Sequence, residues 1–132
     1  MKTNLLLIDD DKLFLLLNKK QVVNAGLHTH PETFLNAASA LDWLNQNDQK
    51  DSNILILLDL NMPEINGWQF LDKLQETSYQ STIWVALVTS SSDLEDKERS
   101  LHYKQVVAYL EKPVKQGELL KLKSIPALQS FF

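Results

Sequence analysis

The 132-residue chain has no cysteine, and it has only three glycines and four prolines. Without cysteine, the protein cannot form disulfides, thiolate metal sites or a cysteine nucleophile, which suits a reducing compartment. Basic residues are not clustered: no run of Lys or Arg exceeds two residues, and the formal net charge is −4 at pH 7. Because phosphate backbones are bound by clustered basic surfaces, nucleic acid is not expected as a direct partner.

Long hydrophobic segments are missing as well. No apolar stretch approaches the length of a membrane span, and residues 5–8 are too few for the core of a signal peptide. We therefore predict a soluble, cytoplasmic protein with no membrane partner. Hydrophobic residues still make up 44% of the chain, which is enough to bury one core. At this length, residues 1–132 are expected to form a single domain.

Five apolar segments predict the strands of this domain, over residues 5–8, 27–31, 54–58, 83–88 and 106–110. Segments 54–58 and 83–88 are apolar without alternation, the pattern of strands that are buried on both faces of a parallel sheet. Segment 27–31 is mixed in polarity and ends at Pro31, which favours a weak strand at a sheet edge.

Helical patterns alternate with these strands, over residues 13–24, 36–44, 68–77, 92–103 and 117–124. Asp11 and Asn36 are the predicted N-caps of the first two helices, and Ser92 and Glu95 have the spacing of a capping box for the fourth. The fourth helix carries few apolar residues, so we expect it to be loosely held. The apolar tail at residues 131–132 is expected to fold back on the domain.

Five strands alternating with five helices predict an α/β fold, a doubly wound parallel sheet with right-handed crossovers and helices on both faces. The weak second strand belongs at an edge, whereas strands one, three and four are apolar enough to be central. This favours the flavodoxin-like order 2-1-3-4-5, whose ligand-binding switch point lies between strands one and three. Asp9, Asp10 and Asp59, which follow those two strands, should therefore meet in one crevice.

Three carboxylates in one crevice repel one another unless a cation lies among them. With only oxygen ligands available, Mg²⁺ is the expected cation, since it prefers carboxylates, carbonyls and water and commonly acts with a phosphate. Lys112 and Thr89, at the ends of the fifth and fourth strands, add a positive charge and a hydroxyl donor. A metal, a cation, a hydroxyl and a carboxylate nucleophile suit the transfer of a phosphoryl group to an aspartate, here Asp59.

Four motifs at these strand ends resemble the receiver domain of two-component response regulators. They are Ile-Asp-Asp-Asp at 8–11, Leu-Asp-Leu-Asn-Met-Pro-Glu-Ile-Asn-Gly at 58–67, Val-Thr-Ser at 88–90 and Tyr-Leu-Glu-Lys-Pro-Val at 109–114. Each motif is weak alone, but their order and intervals match the family over essentially the whole chain. The resemblance implies a stand-alone, chemotaxis-type phosphorelay switch and not an enzyme with a separate substrate.

The resemblance also assigns roles to the residues of the crevice. Asp59 would accept the phosphoryl group and contact the metal, Asp10 would bind Mg²⁺ directly, and Asp9 would bind it mostly through water. Asn61 would contribute its backbone carbonyl to the metal.

The remaining motif residues would sense the phosphoryl group. The resemblance implies that Thr89 and Lys112 bind its oxygens and that Tyr109 is an aromatic switch coupled to Thr89. It further implies that a histidine kinase or a histidine phosphotransfer protein is the donor. The output would be a contact with a downstream protein.

Two other functions fit part of the pattern. A haloacid-dehalogenase-type phosphatase also uses an aspartate after a strand, but that family has a second acid two positions on, where this chain has Asn61. The other alternative is a receiver-like interaction module that is never phosphorylated. The presence of the three acids together with Thr89 and Lys112 argues against it, and a phosphorylation assay distinguishes the two.

Overall fold

A computed structural model describes residues 2–90 and 93–132, and within those ranges a five-stranded sheet forms the centre of the molecule. Its strands are β1 (Lys2–Ile8), β2 (Glu32–Phe34), β3 (Ser52–Leu58), β4 (Thr82–Thr89) and β5 (Val106–Glu111). They are parallel and lie in the order β2-β1-β3-β4-β5. The predicted α/β fold with strand order 2-1-3-4-5 is therefore confirmed.

The helices that alternate with these strands are α1 (Lys12–Asn24), α2 (Ala37–Gln46), α3 (Gly67–Glu76), α4 (Leu94–Ser100) and α5 (Gln116–Lys121). The Asp11 carboxylate accepts hydrogen bonds from the N–H groups of Leu13 and Phe14, and the Asn36 side chain accepts one from Ser39. Both predicted caps are confirmed. In the described part of the chain, each helix falls short of the length and apolar character that a bilayer crossing requires.

Apolar side chains fill one layer on each face of the sheet. Successive residues of β1 divide between the layers: Leu5 and Leu7 pack with residues of α1 and α5, whereas Leu6 and Ile8 pack with residues of α2 and α3. All seven residues of β3 are buried, which explains why its segment 54–58 is apolar without alternation. The two layers hold the carboxyl ends of β1 and β3 side by side.

The second strand differs from its prediction. It comprises Glu32–Phe34 and not residues 27–31, so Pro31 precedes the strand instead of ending it. Gly26, with a φ of 72°, ends α1, and Leu27 is buried in the core as part of the connection. Leu27, the apolar residue of that segment, therefore contributes to core packing and not to strand pairing. The edge position, beside β1, is as predicted.

Helix α4 is shorter than the predicted 92–103, and the predicted cap Ser92 lies outside the described residues. Asp93 is the N-cap, and its carboxylate accepts a hydrogen bond from the N–H of Glu95 at 3.0 Å. An aspartate at this position also complements the positive end of the helix dipole.

The C-terminal segment is also more irregular than predicted. α5 is followed by a 3₁₀ turn at Leu122–Ser124 and by a tail, residues 126–132, that begins with a second 3₁₀ turn. Leu128 and Phe131 of this tail are buried in the same apolar cluster as α1 and α5, whereas Phe132 is 40% exposed. The predicted folding back of the tail is confirmed, and Leu128 and Phe131 anchor it.

Candidate functional site

The carboxylates of Asp9, Asp10 and Asp59 lie together at the carboxyl end of the central strands. β1 and β3 are in register, with Ile8 beside Leu58, and the N–H of Asp59 donates to the Ile8 carbonyl oxygen at 3.0 Å. One oxygen from each of the three carboxylates lies within 4.8 Å of the other two. The structure thus brings together the three acids that the strand order predicts to meet.

The three acids differ in their access to water. Asp9 and Asp59 are each 3% exposed, whereas Asp10 is exposed at the mouth of the crevice. The Asp9 side chain is held in place because its Oδ1 accepts a hydrogen bond from the N–H of Asp11 at 2.9 Å. The crevice therefore holds two desolvated carboxylates behind one that faces solvent.

Lys112 supplies a positive charge to the crevice. Its Nζ lies 2.7 Å from Asp9 Oδ2 and 3.5 Å from Asp59 Oδ2. The ring of Phe14 lies beneath the ammonium, 4.3 Å from Nζ to the ring centroid. The backbone N–H of Lys112 donates to the Thr89 carbonyl oxygen at 2.8 Å, so the β4–β5 pairing sets the position of the lysine.

The pKa of Asp59 reflects the balance of charges in the crevice. Burial, and then repulsion from Asp9, raise the pKa of the Asp59 carboxyl from 3.8 to about 6. The attraction of Lys112 and a hydrogen bond from the Asn61 N–H, 3.2 Å from Asp59 Oδ1, lower the pKa but do not offset that rise. One ammonium is therefore too little positive charge for the crevice, and a further cation would stabilise the ionised form of Asp59.

Thr89 is the last residue of β4, beside the residues of the crevice, and it is fully buried. The Nδ2 of Asn61 donates to its Oγ1 at 3.4 Å. The motifs predict a role for the backbone carbonyl of Asn61 and none for its side chain, which here links the loop after β3 to the end of β4. No sequence signal could have shown it, because it depends on the path of the loop.

The loop after β3 is fixed by a close approach at Gly67. A Cβ added to Gly67 would lie 2.7 Å from the Cα of Leu60 and 2.8 Å from the carbonyl oxygen of Asp59. The N–H of Gly67 also donates to the Leu60 carbonyl oxygen at 3.0 Å. Gly67 is the first residue of α3, so the glycine is needed here for the close approach of the helix to the loop and not for an unusual backbone conformation.

Tyr109 lies on β5, two residues from the end of the strand. In the β4–β5 register Leu87 is beside Tyr109 and Thr89 is beside Glu111, so Thr89 and Tyr109 are on the same face of the sheet. The half-buried ring of Tyr109 packs against the apolar layer that contains Leu87, and the Nζ of Lys97 lies 5.7 Å from its centroid. The ring is thus adjacent to both the end of β4 and helix α4.

Comparison with known proteins agrees with this architecture. Residues 5–123 match the family described as the response regulator receiver domain. The chain therefore belongs to the response regulator receiver family of two-component systems, whose members act as signalling switches.

Solved structures of similar proteins extend the match over almost the full chain. A response regulator receiver protein from Dyadobacter fermentans is 26% identical, with a TM-score of 0.76, and the match covers 98% of each chain. A two-component response regulator from Cytophaga hutchinsonii is also 26% identical, with a TM-score of 0.79, over 94% of this chain and 96% of that one. Among curated proteins, the probable methanogenesis regulatory protein FilR2 of Methanothrix harundinacea is 25% identical over 117 residues, covering 87% of this chain and 75% of that protein.

Proposed function

We propose that residues 1–132 act as one receiver domain that accepts a phosphoryl group on Asp59 from a phosphohistidine of a histidine kinase or phosphotransfer protein. The observation that carries this proposal is the juxtaposition at the carboxyl end of the sheet. The buried Asp59 carboxylate has Asp9 and Asp10 oxygens within 4.8 Å and the Lys112 ammonium at 3.5 Å. These are a nucleophile, candidate metal ligands and a cation in one crevice.

The residues present fit a bound Mg²⁺. Two oxygens on one Mg²⁺ lie at most roughly 4.2 Å apart, and the oxygens of this set lie within 4.8 Å of one another, so a small side-chain rotation or one intervening water would complete the coordination. The donor set consists of oxygen atoms, as Mg²⁺ requires. Asp10 would bind the metal directly and Asp9 mostly through water, with Asp59 and the carbonyl of Asn61 completing the protein ligands. Bound Mg²⁺ supplies the positive charge that the crevice lacks.

The transfer itself needs an ionised Asp59. One carboxylate oxygen attacks phosphorus, the bond from phosphorus to the donor imidazole nitrogen breaks, and that nitrogen keeps the electron pair. The phosphoryl oxygens are then held by the Lys112 ammonium and the Thr89 hydroxyl. Asn61, whose side chain now donates to Thr89 Oγ1, would release the hydroxyl for that contact. The chain would catalyse only its own phosphorylation and dephosphorylation.

The output would be a protein contact on the face formed by α4, β5 and α5. Thr89 and Tyr109 share one face of the sheet, so a movement of the Thr89 hydroxyl toward the phosphate would free space for the Tyr109 ring. Leu94 and Leu101, which are 67% and 83% exposed, lie on α4 and at its C-terminal end. These leucines offer apolar area to a downstream protein.

The test is covalent labelling of Asp59. We expect the protein incubated with Mg²⁺ and acetyl phosphate, or with a phosphorylated histidine kinase, to gain one phosphoryl group by intact-mass spectrometry, and the adduct to be labile in acid and base. Asp59→Asn should abolish the gain. Asp42→Asn makes the same chemical change on the exposed face of α2 and should label like the parent. Equal labelling of Asp59→Asn and parent would show that the acceptor lies elsewhere.

A further inference from the structure

Four side chains join α3 to the end of α4. The Trp68 and Tyr103 rings stack with centroids 5.8 Å apart and planes inclined by 29°. The Arg99 guanidinium lies over the Trp68 ring, 4.4 Å from its centroid. The Tyr103 hydroxyl donates to Asp72 Oδ1 at 2.8 Å. We call these four residues, Trp68, Asp72, Arg99 and Tyr103, the α3–α4 cluster.

The cluster is built from two matched pairs. Trp68 and Asp72 are four residues apart on α3, and Arg99 and Tyr103 are four residues apart on α4 and the turn after it, so each pair lies on one side of its segment. Burial and the hydrogen bond to Asp72 raise the pKa of Tyr103 above its usual value of 10, although Arg99 acts in the opposite direction. The hydroxyl thus stays protonated and remains a donor.

Helix α4 buries little apolar surface. Ser100 is the buried residue of the helix, and its apolar neighbours Leu94 and Leu101 are mostly exposed. Lys97 pairs with the exposed Glu111 of β5 at 3.2 Å, and its Nζ lies 5.7 Å from the Tyr109 ring centroid. Exposed ion pairs stabilise weakly, so the α3–α4 cluster is a principal contact between α4 and the rest of the domain.

The cluster is also connected to the phosphoacceptor. Trp68 follows Gly67, whose backbone is in contact with the backbone of Asp59 and Leu60 and is hydrogen-bonded to Leu60. A change in the loop after β3 would therefore displace the first turn of α3 and, with it, the Trp68 ring. This connection does not pass through Thr89 or Tyr109.

We propose that the α3–α4 cluster is an inhibitory contact that holds α4 in its resting position and that phosphorylation of Asp59 must loosen before α4 can move. The inference rests on the proposed function, because it assumes that Asp59 is the phosphoacceptor. Linkage gives its consequence: weakening a contact of the resting state increases the population of the active state and raises the affinity for ligands that favour it.

The test uses Tyr103→Phe, which removes the bond to Asp72 and keeps the stacked ring, and Arg99→Gln, which removes the cation. Each should raise the affinity of the Mg²⁺-loaded protein for beryllofluoride, a phosphoryl mimic, by roughly three- to tenfold. Each should also speed amide hydrogen exchange in α4 without any phosphoryl mimic. Tyr79→Phe is the matched control, because Tyr79 donates to Asn45 Oδ1 at 3.1 Å, outside the cluster.

The outcomes separate the two proposals. Parent protein that does not bind beryllofluoride with Mg²⁺ would contradict the proposed function. Parent protein that binds it, with both variants binding equally or more weakly, would overturn the inhibitory role of the cluster. Unchanged exchange in α4 of both variants would overturn it as well, whatever the behaviour toward beryllofluoride. A larger effect in Tyr79→Phe than in Tyr103→Phe would show that the change is not specific to this contact.

Discussion

The two sides of the carboxyl-terminal half of the molecule are held together in different ways. α5 and the tail lie in a continuous apolar cluster in which Leu119, Leu122 and Leu128 are at most 1% exposed. α4 instead relies on directional contacts of Arg99 and Lys97 with aromatic rings and carboxylates. Apolar burial resists any separation of the packed surfaces, whereas directional contacts can be exchanged one at a time. We therefore expect the side of the sheet that carries α5 to be fixed and the side that carries α4 to be movable.

The largest expected effect tests the fixed side. Phe131→Ala should lower the free energy of unfolding by about 3 to 4 kcal/mol, because it leaves a cavity beneath the tail. The adjacent Phe132 ring is 40% exposed, so Phe132→Ala should lower the free energy of unfolding by about 1 kcal/mol or less. Urea unfolding of both variants measures the difference. Similar losses would mean that the tail is not anchored by Phe131, and the contrast with α4 would weaken.

A smaller effect concerns Asp59, which lies between the two sides. Its folded-state pKa of about 6 exceeds the ordinary 3.8, so protonated Asp59 stabilises the fold fully below about pH 4, and this contribution is lost as the pH rises through 6. Without Mg²⁺, Asp59→Asn should therefore be more stable than the parent at pH 7.5, by at most about 3 kcal/mol.

The pH series supplies the control for that prediction. The advantage of Asp59→Asn should shrink between pH 6 and 4 and should also shrink when Mg²⁺ is added to the parent at pH 7.5. Thermal unfolding over this range measures it. An advantage that is constant with pH would show that ionisation of Asp59 is not its cause.

Lys112 allows a test with a predicted sign. Lys112→Ala should leave Mg²⁺ affinity unchanged or raise it, by up to about tenfold, since the ammonium 2.7 Å from Asp9 competes for the same charge. Labelling of Asp59 should be impaired, because the phosphoryl oxygens lose a partner. Mg²⁺ titration and mass spectrometry measure the two effects. Weaker Mg²⁺ binding would contradict the electrostatic argument.

The sequence predicted the parts of the molecule that depend on periodicity and strand order. Unbroken apolar runs located β3 and β4, and the order of the strands placed Asp9 and Asp59 at one edge of the sheet. These signals are local, or follow from rules of chain connection that few sheets break. The fold and the meeting of the acids could therefore be inferred before the structure.

What the sequence could not predict depends on side-chain contacts between distant segments. The few apolar residues of α4 predict a loosely held helix, and they do not indicate that Arg99 and Tyr103 pack against Trp68. The position of β2 after Pro31 has the same origin. Leu27 is unpaired because it is buried in the core, and its sequence neighbours do not reveal this. Contacts of this kind need the tertiary structure.

The smallest expected effect bears most directly on the movable side. Beryllofluoride added to the Mg²⁺ form should change hydrogen exchange by a few-fold, equivalent to about 1 kcal/mol, in the described residues between 89 and 110, and should leave residues 28–31 unchanged. Thr89→Ala should suppress these changes, whereas Thr89→Ser, which keeps the hydroxyl, should retain them. Thr89 and Tyr109 share a face of the sheet, so the hydroxyl is the element that would couple the phosphate to the ring. Changes confined to the loops around Asp59 would show that phosphorylation is not transmitted to α4, and the movable side would then lack a signal to move it.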